Sequence, residues 1–363
     1  MRRFLPLFLI VLAACGEDPQ ARYPMGGIPL VELDSPTEFM GPDEIHSIVH
    51  HFDYDEQTDR LLLIDRQADR PIMVVESSGE IVARLGGIGE GPNEFVYPYK
   101  VGCLDGLCTV WDLKLRRASV IDMSSDPAIL DQVRIEAPGD SVQGLVVADQ
   151  VYFERGAGTF LAFGATTRGI AWRYTPGRGW SSVGDEVPVA ILAYPSDPDL
   201  WKRVSLNSGV IEPGGGDKLV LAFLVTGEVV IADREGTILS ATPSGFVPQQ
   251  RFNKKAFKVP FGGKTVKRTE YTPVIEDWNL PGFEHAHTAA GRIWAKHYGN
   301  TRDRRLGDHM LSDIHRINWS GRTERIYRAD RELGNFVVTN DGRLIAVEKE
   351  QVLPRLLEWK LPG

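Results

Sequence analysis

Apolar and polar residues alternate along this chain in short runs, and turn residues such as Gly, Asp and Asn separate the runs. Runs this short, rich in β-branched and aromatic residues, read as strands rather than helices. The clearest stretch is Leu61 to Pro98, LLLIDRQADRPIMVVESSGEIVARLGGIGEGPNEFVYP. It holds the runs LLLID, IMVVE and IVARL, with a turn at Gly79 between the last two. The same pattern recurs over Lys218 to Ala241, KLVLAFLVTGEVVIADREGTILSA, where Gly236 stands at the offset from Lys218 that Gly79 has from Leu61. Self-similarity at a fixed offset is the signature of a repeat architecture.

Laid out in this phase, the chain gives six repeats, each with an inner strand, two middle strands and an outer strand. The first, residues 46–85, reads SIVHHFDY, LLLID, IMVVE and IVARL. The second, 97–135, reads YKVGCL, LCTVWD, ASVIDM and ILDQVRI. The third, 141–175, reads VQGLVV, QVYFE, TFLAFG and IAWRYT. The fourth, 205–241, reads SGVIEP, KLVLAFL, EVVIAD and TILSA. The fifth, 283–329, reads EHAHTA, RIWAKHYG, SDIHRINW and TERIYRA. The sixth starts near Gly334 with NFVVTN, RLIAVEKE and PRLLEWKL, and it has only three strands before Gly363. A spare strand-like run, Ile28 to Leu33, precedes the first repeat. The pattern predicts an all-β fold over residues 28–363: a six-bladed β-propeller of four-stranded antiparallel blades, closed by an N-terminal strand that completes the last blade. Such closure removes two sheet edges that would otherwise template aggregation. Short helices are expected only in insertions such as Asp197 to Val204.

From Gly86 the chain reads GGIGEGPNEFVYP. This resembles the blade junction of NHL-repeat proteins, in which a Gly-rich turn precedes Glu/Phe and a Pro that starts the next inner strand. The chain is similar to the NHL-like and TolB-like six-bladed propellers found as bacterial lipoproteins, most clearly over residues 45–101. Glu90 and Glu94 then belong to junction structure. The resemblance speaks to fold and leaves the activity open.

The phase of the strands sorts the connections onto two ends of the ring. Turns between first and second strands (DEQT, LDG, VADQ, PGGGD, TAAG, NDG) are tight, as are those between third and fourth strands (ESSG, DREG, NWSG). The long insertions, about 177–202, 243–281 and 299–311, all fall on the opposite end. Insertions gathered on one face of a repeat protein mark its binding face, although loops of this length also serve simply to cap the channel.

The N-terminus carries a targeting pattern. Arg2 and Arg3 precede an apolar stretch from Phe4 to Leu12, too short to span a bilayer. It ends in Leu12-Ala13-Ala14-Cys15-Gly16, which resembles a lipobox. The resemblance implies a signal peptide over residues 1–14, lipidation of Cys15 and a tether over 15–27. Gly rather than Asp after the cysteine implies an outer-membrane lipoprotein, on the periplasmic or the surface side. The chain of 363 residues has a formal charge of −8, and loss of two arginines makes it more acidic, which argues against nucleic-acid binding. The remaining cysteines, Cys103 and Cys108, flank an Asp105-Gly106 hairpin signal that sets them opposite each other. An oxidising compartment favours a disulfide; two buried thiols are the alternative.

Candidate chemistry is sparse. The insertion near Pro243–Pro281 carries Arg251, Lys254, Lys255, Lys258, Lys264, Lys267 and Arg268 against three acids, with Tyr271 and Trp278 among its aromatics. Cations with interleaved aromatics suit an anionic glycan or a cell-envelope protein. His285 and His287 lie two apart on one strand, facing the same side. With His46 and His309 they form a candidate set for a divalent metal at the channel mouth, against the alternative that they only pack. No nucleophile elbow, HExxH or P-loop occurs. The expectation is a lipid-anchored, non-catalytic binding scaffold acting through its long-loop face. The alternative is a metal-dependent hydrolase or lyase resembling propeller lactonases.

Overall fold

The computed structural model describes residues 28–47, 49, 51–135, 151–163, 171–183, 209–215, 217–223, 228–242, 252–261, 264–273, 283–297, 305–306, 309–349 and 355–363. Among them all regular structure is β. Six four-stranded antiparallel sheets form the blades of a ring.

Blade one orders its strands Phe52–Asp55, Arg60–Ile64, Ile72–Glu76 and Ile81–Leu85. Blade two follows with Pro98–Leu104, Leu107–Asp112, Arg117–Asp122 and Ala128–Arg134. The second strands, such as Arg60–Ile64 and Leu107–Asp112, are nearly all buried, so the apolar runs of the sequence there are continuous rather than strictly alternating. Six apolar clusters fill the spaces between neighbouring blades. Leu62, Val74, Val101 and Val110 lie between blades one and two. Phe52, Leu61, Val337 and Ile345 lie between blades one and six, which closes the circle.

The two-residue turn at Asp105-Gly106 has φ of 52° and 77°, the left-handed pair that a tight hairpin of this kind requires. It sets Cys103 directly across from Cys108, and the two form a disulfide with Cα atoms 4.0 Å apart. Gly102, next to it, is needed for packing. A Cβ there would sit 2.7 Å from the Tyr152 ring and 2.9 Å from the Val151 carbonyl of blade three.

Two details depart from the sequence reading. Ile28–Leu33 does not complete blade six. Leu30–Glu32 instead pairs in parallel with the outer strand of blade five, Thr323–Ala329. Leu33 packs between blades five and six, and the strand that closes blade six is Thr37–Met40, antiparallel to Leu356–Lys360. The crossing is driven by Leu33 and Met40, both buried on either side of the exposed link.

Blade three is shifted by one strand. Its described strands are Val151–Glu154, Thr159–Phe163, Ala171–Thr175 and Gly179–Ser182. Val151–Glu154 lies beside the inner strand of blade two, so VYFE is the inner strand and GWSS the outer one. The stretch VQGLVV lies outside the described residues, as does 197–204. Blade four (Gly209–Gly214, Lys218–Phe223, Val229–Asp233, Ile238–Thr242) and blade five (Phe283–Ala289, Arg292–His297, Ser312–Ile317, Thr323–Ala329) follow the expected phase. Blade six adds Leu333–Val338 and Arg343–Glu348.

Candidate functional site

The inner strands bring charged residues to the axis of the ring. Asp53 is on blade one, Glu212 on blade four and His287 on blade five, and all three are buried. Their ligand atoms lie within 4.8 Å of one another. His287 Nδ1 is 3.5 Å from Asp53 Oδ1 and 3.4 Å from Glu212 Oε1. On the other side of the ring, Nε2 faces the Val338 carbonyl at 3.2 Å. A carbonyl only accepts, so Nε2 carries the hydrogen and Nδ1 is the atom turned to the carboxylates.

Each carboxylate is held by the frame. Asp53 accepts hydrogen bonds from the backbone N–H of Tyr54 (2.9 Å) and of Cys103 (2.7 Å). The second of these comes from the disulfide hairpin. Glu212 Oε2 accepts from the Tyr152 hydroxyl at 2.6 Å. Burial, and then the charge of Asp53, push the Glu212 carboxyl up to about 7. Burial disfavours a charged His287, but its polar contacts with Asp53 and Glu212 and their negative charges outweigh it and raise the ring to about 10.

A cavity of about 330 Å³ opens beside Glu212. Its walls come from the ends of inner strands and the turns after them, among them Tyr54, Gln57, Asp105, Pro213, Thr288 and Asn340. It therefore sits on the tight-turn end of the ring, opposite the end that the long insertions marked. Asp55 stiffens this rim by accepting from the N–H groups of Gly106 and Thr58, both at 2.9 Å.

Two residues back along the same strands lies a second level. The ring centroids of His51 and His285 are 6.0 Å apart. Burial, together with the charge of Lys100, holds both rings well below the ordinary imidazole value. Lys296, also buried, pairs with Glu284 and with the Leu333 and Gly334 carbonyls of blade six.

Of the histidines proposed from sequence, only His287 joins the three-residue group. His285 lies one level away, with Nε2 on the Phe336 carbonyl at 3.0 Å. His46 is exposed in a bend, and its backbone N–H is bound to Asp65. His309 falls on a two-residue strand whose side chains lie outside the described residues. The basic insertion forms a hairpin of Phe252–Phe261 with Lys264–Pro273. Lys254, Lys255, Lys258, Lys264, Lys267, Arg268 and Tyr271 stand on it by backbone register; Arg251, Trp278 and Cys15 lie outside the described residues. Sequence reasoning passed over Asp53, Glu212 and Tyr152. Their signal was a charged residue on the same parity as a neighbouring His or Asp within an inner strand: His51/Asp53/Asp55 in HHFDYD, and the lone acid of GVIEPG.

No known protein-family profile and no curated protein matches this chain. Solved structures do resemble it. A member of the DUF4221 family from Bacteroides vulgatus aligns over 91% of this chain and 94% of its own, with a TM-score of 0.53 and 10% identity. Regucalcin from Agrobacterium tumefaciens, described as a calcium-binding protein, aligns over 92% and 95% with a TM-score of 0.45 and 10% identity. At such identity the first likeness speaks to the fold alone: a six-bladed propeller.

Proposed function

We propose that this chain is a lipid-anchored cell-envelope propeller that binds a divalent cation on its axis, through Asp53, Glu212 and His287. The observation that carries the reading is the spacing of the three donors. Hydrogen bonds between such groups close to about 2.7–3.2 Å, yet His287 Nδ1 stands 3.4 and 3.5 Å from the two oxygens. Donors at about 2.0–2.1 Å around a tetrahedral ion are separated by about 3.4 Å. The Nε2–H bond to Val338 is also the second contact that fixes a ligating imidazole. One nitrogen with two carboxylates suits zinc or manganese better than calcium, which prefers oxygen alone. A bound ion would meet a ligand in the adjoining cavity and hold or polarise it. The chemistry extends to hydrolysis or lysis only if that ligand is labile.

Metal analysis of the purified chain tests this. About one zinc or manganese per chain is expected, lost in His287→Ala. Affinity should rise with pH, because the ion displaces a proton from His287, which keeps it up to about 10. A wild-type protein that takes up no ion at pH 8 overturns the reading.

A second reading, partner binding through the basic hairpin, has its own support. Cross-strand register puts Lys254, Lys258, Lys267 and Tyr271 on one face, and Lys255, Lys264, Arg268 and Glu270 on the other. By backbone register Lys258 lies directly opposite Lys267. Retention on immobilised polygalacturonate should fall when Lys254, Lys258 and Lys267 are changed to Ser, and Cys15→Ala should release the protein from membranes. Unchanged retention sinks the glycan reading, and continued membrane association sinks the anchor.

A further inference from the structure

The basic hairpin, Phe252–Phe261 paired with Lys264–Pro273, stands apart from the blades. Its strands are ten residues each, whereas no blade strand is longer than seven. They extend about 34 Å. Among the described residues these two strands pair with each other and with no strand of the ring. An isolated two-stranded hairpin is marginal in water, so a stable one is expected to have a partner on its apolar face.

The two faces of the hairpin differ. Residues alternate between faces along a strand, and residues paired across strands share a face. One face therefore holds Phe257, Val259 and Phe261 from the first strand and Val266 from the second. Val259 is paired with Val266, so the four stand together in the half of the hairpin where its strands join. Cations take the remaining places there: Arg268 is paired with Phe257, and Lys264 with Phe261. In the same half the opposite face holds Lys258, Pro260, Thr265 and Lys267. The two strands together carry six cations against one acid, Glu270, in a chain of formal charge −8.

Charge decides what covers the apolar face. A second copy of the hairpin would set cations against cations. An anionic bilayer offers both chemistries at once, acyl chains beneath a layer of phosphates. We propose that the hairpin is a membrane-binding arm: Phe257, Val259, Phe261 and Val266 enter the headgroup boundary of an anionic phospholipid bilayer, and Lys264 and Arg268 meet its phosphates. The inference does not rest on lipidation of Cys15, and it uses the face of the hairpin opposite to that of the glycan reading.

The test is sedimentation of a chain beginning at Gly16, which lacks Cys15, with vesicles of phosphatidylcholine alone and of phosphatidylcholine mixed with phosphatidylglycerol. Binding to the mixed vesicles only is expected, and added salt should weaken it. Val259→Ser with Phe261→Ser should weaken it roughly tenfold or more, as loss of two buried apolar side chains does, and should leave retention on polygalacturonate unchanged. Val259→Cys can carry an environment-sensitive fluorophore, because Cys103 and Cys108 are bonded to each other. Its emission should shift to the blue with mixed vesicles, and that of labelled Lys258→Cys, on the other face, should shift less. Absence of sedimentation overturns the proposal, as does an unshifted label in Val259→Cys. Sedimentation that the two serine changes leave intact overturns it too, since the cations then act alone. A dimer that those changes dissolve would assign the face to a second copy instead. Vesicle binding and polygalacturonate retention are read separately, so either reading can fail while the other stands.

Discussion

Asp53→Ala should destabilise the EDTA-treated protein by about 3–5 kcal/mol, the usual consequence of removing one member of a buried ionic group. The change strips His287 of one of its two carboxylates and leaves two buried N–H groups, on Tyr54 and Cys103, without their acceptor. Urea unfolding near pH 7 measures it. The pH profile adds a second readout. His287 binds its proton more tightly in the folded state, up to about 10. The stability this contributes is complete below the unfolded value near 6.5 and fades as pH rises towards 10. Glu212, raised to about 7, acts in the same direction between about 4.5 and 7. Wild-type stability should therefore decline from pH 5 to pH 9. The decline in Asp53→Ala should be shallower over the upper part of that range, because His287 keeps only one partner. A loss below about 1 kcal/mol, with an unchanged pH profile, would show that the axial charges are not coupled as described.

A chain beginning at Gly41 should fail to fold cooperatively. It lacks Thr37–Met40, so the edge of Leu356–Lys360 opens, and it lacks Leu30–Glu32, which covers blade five. It also loses Leu33 and Met40 from two inter-blade clusters. Deleting buried side chains of this size costs about 2–5 kcal/mol each. The sum is comparable with the whole stability of an ordinary domain, about 5–15 kcal/mol. Thermal unfolding and size-exclusion profiles against a chain beginning at Gly16 give the comparison. A sharp transition at an unchanged temperature would mean that the ring is held without its N-terminal clasp.

The blades were legible in the sequence because each is local: its four strands are consecutive, and turns such as Asp105-Gly106 announce themselves. The slips came where local signals compete. VQGLVV reads as the inner strand of blade three and QVYFE as its second, and only contact with blade two makes Val151–Glu154 the inner one. Near the N-terminus the apolar run Ile28–Leu33 reads as the closing strand, whereas TEFM, half of it polar, gives no such signal. The largely exposed TEFM closes the ring because buried Met40 and half-buried Phe39, packed on the same inter-blade cluster, suffice for an edge.

The axial group was legible by a third. His287 was visible as half of a His-x-His pair, but its carboxylates come from blades one and four. No spacing rule connects residues that meet only because a ring closes. Loop length directed attention to one end, whereas the described cavity is walled by the short turns of the other.

The clasp has a consequence in time. Thr37 hydrogen-bonds Glu358 across 321 residues, so this pairing closes a very long loop and forms late in folding. Until then five blades can assemble as an open arc with two unsealed edges. Final locking is a single late event that joins Thr37–Met40 to Leu356–Lys360.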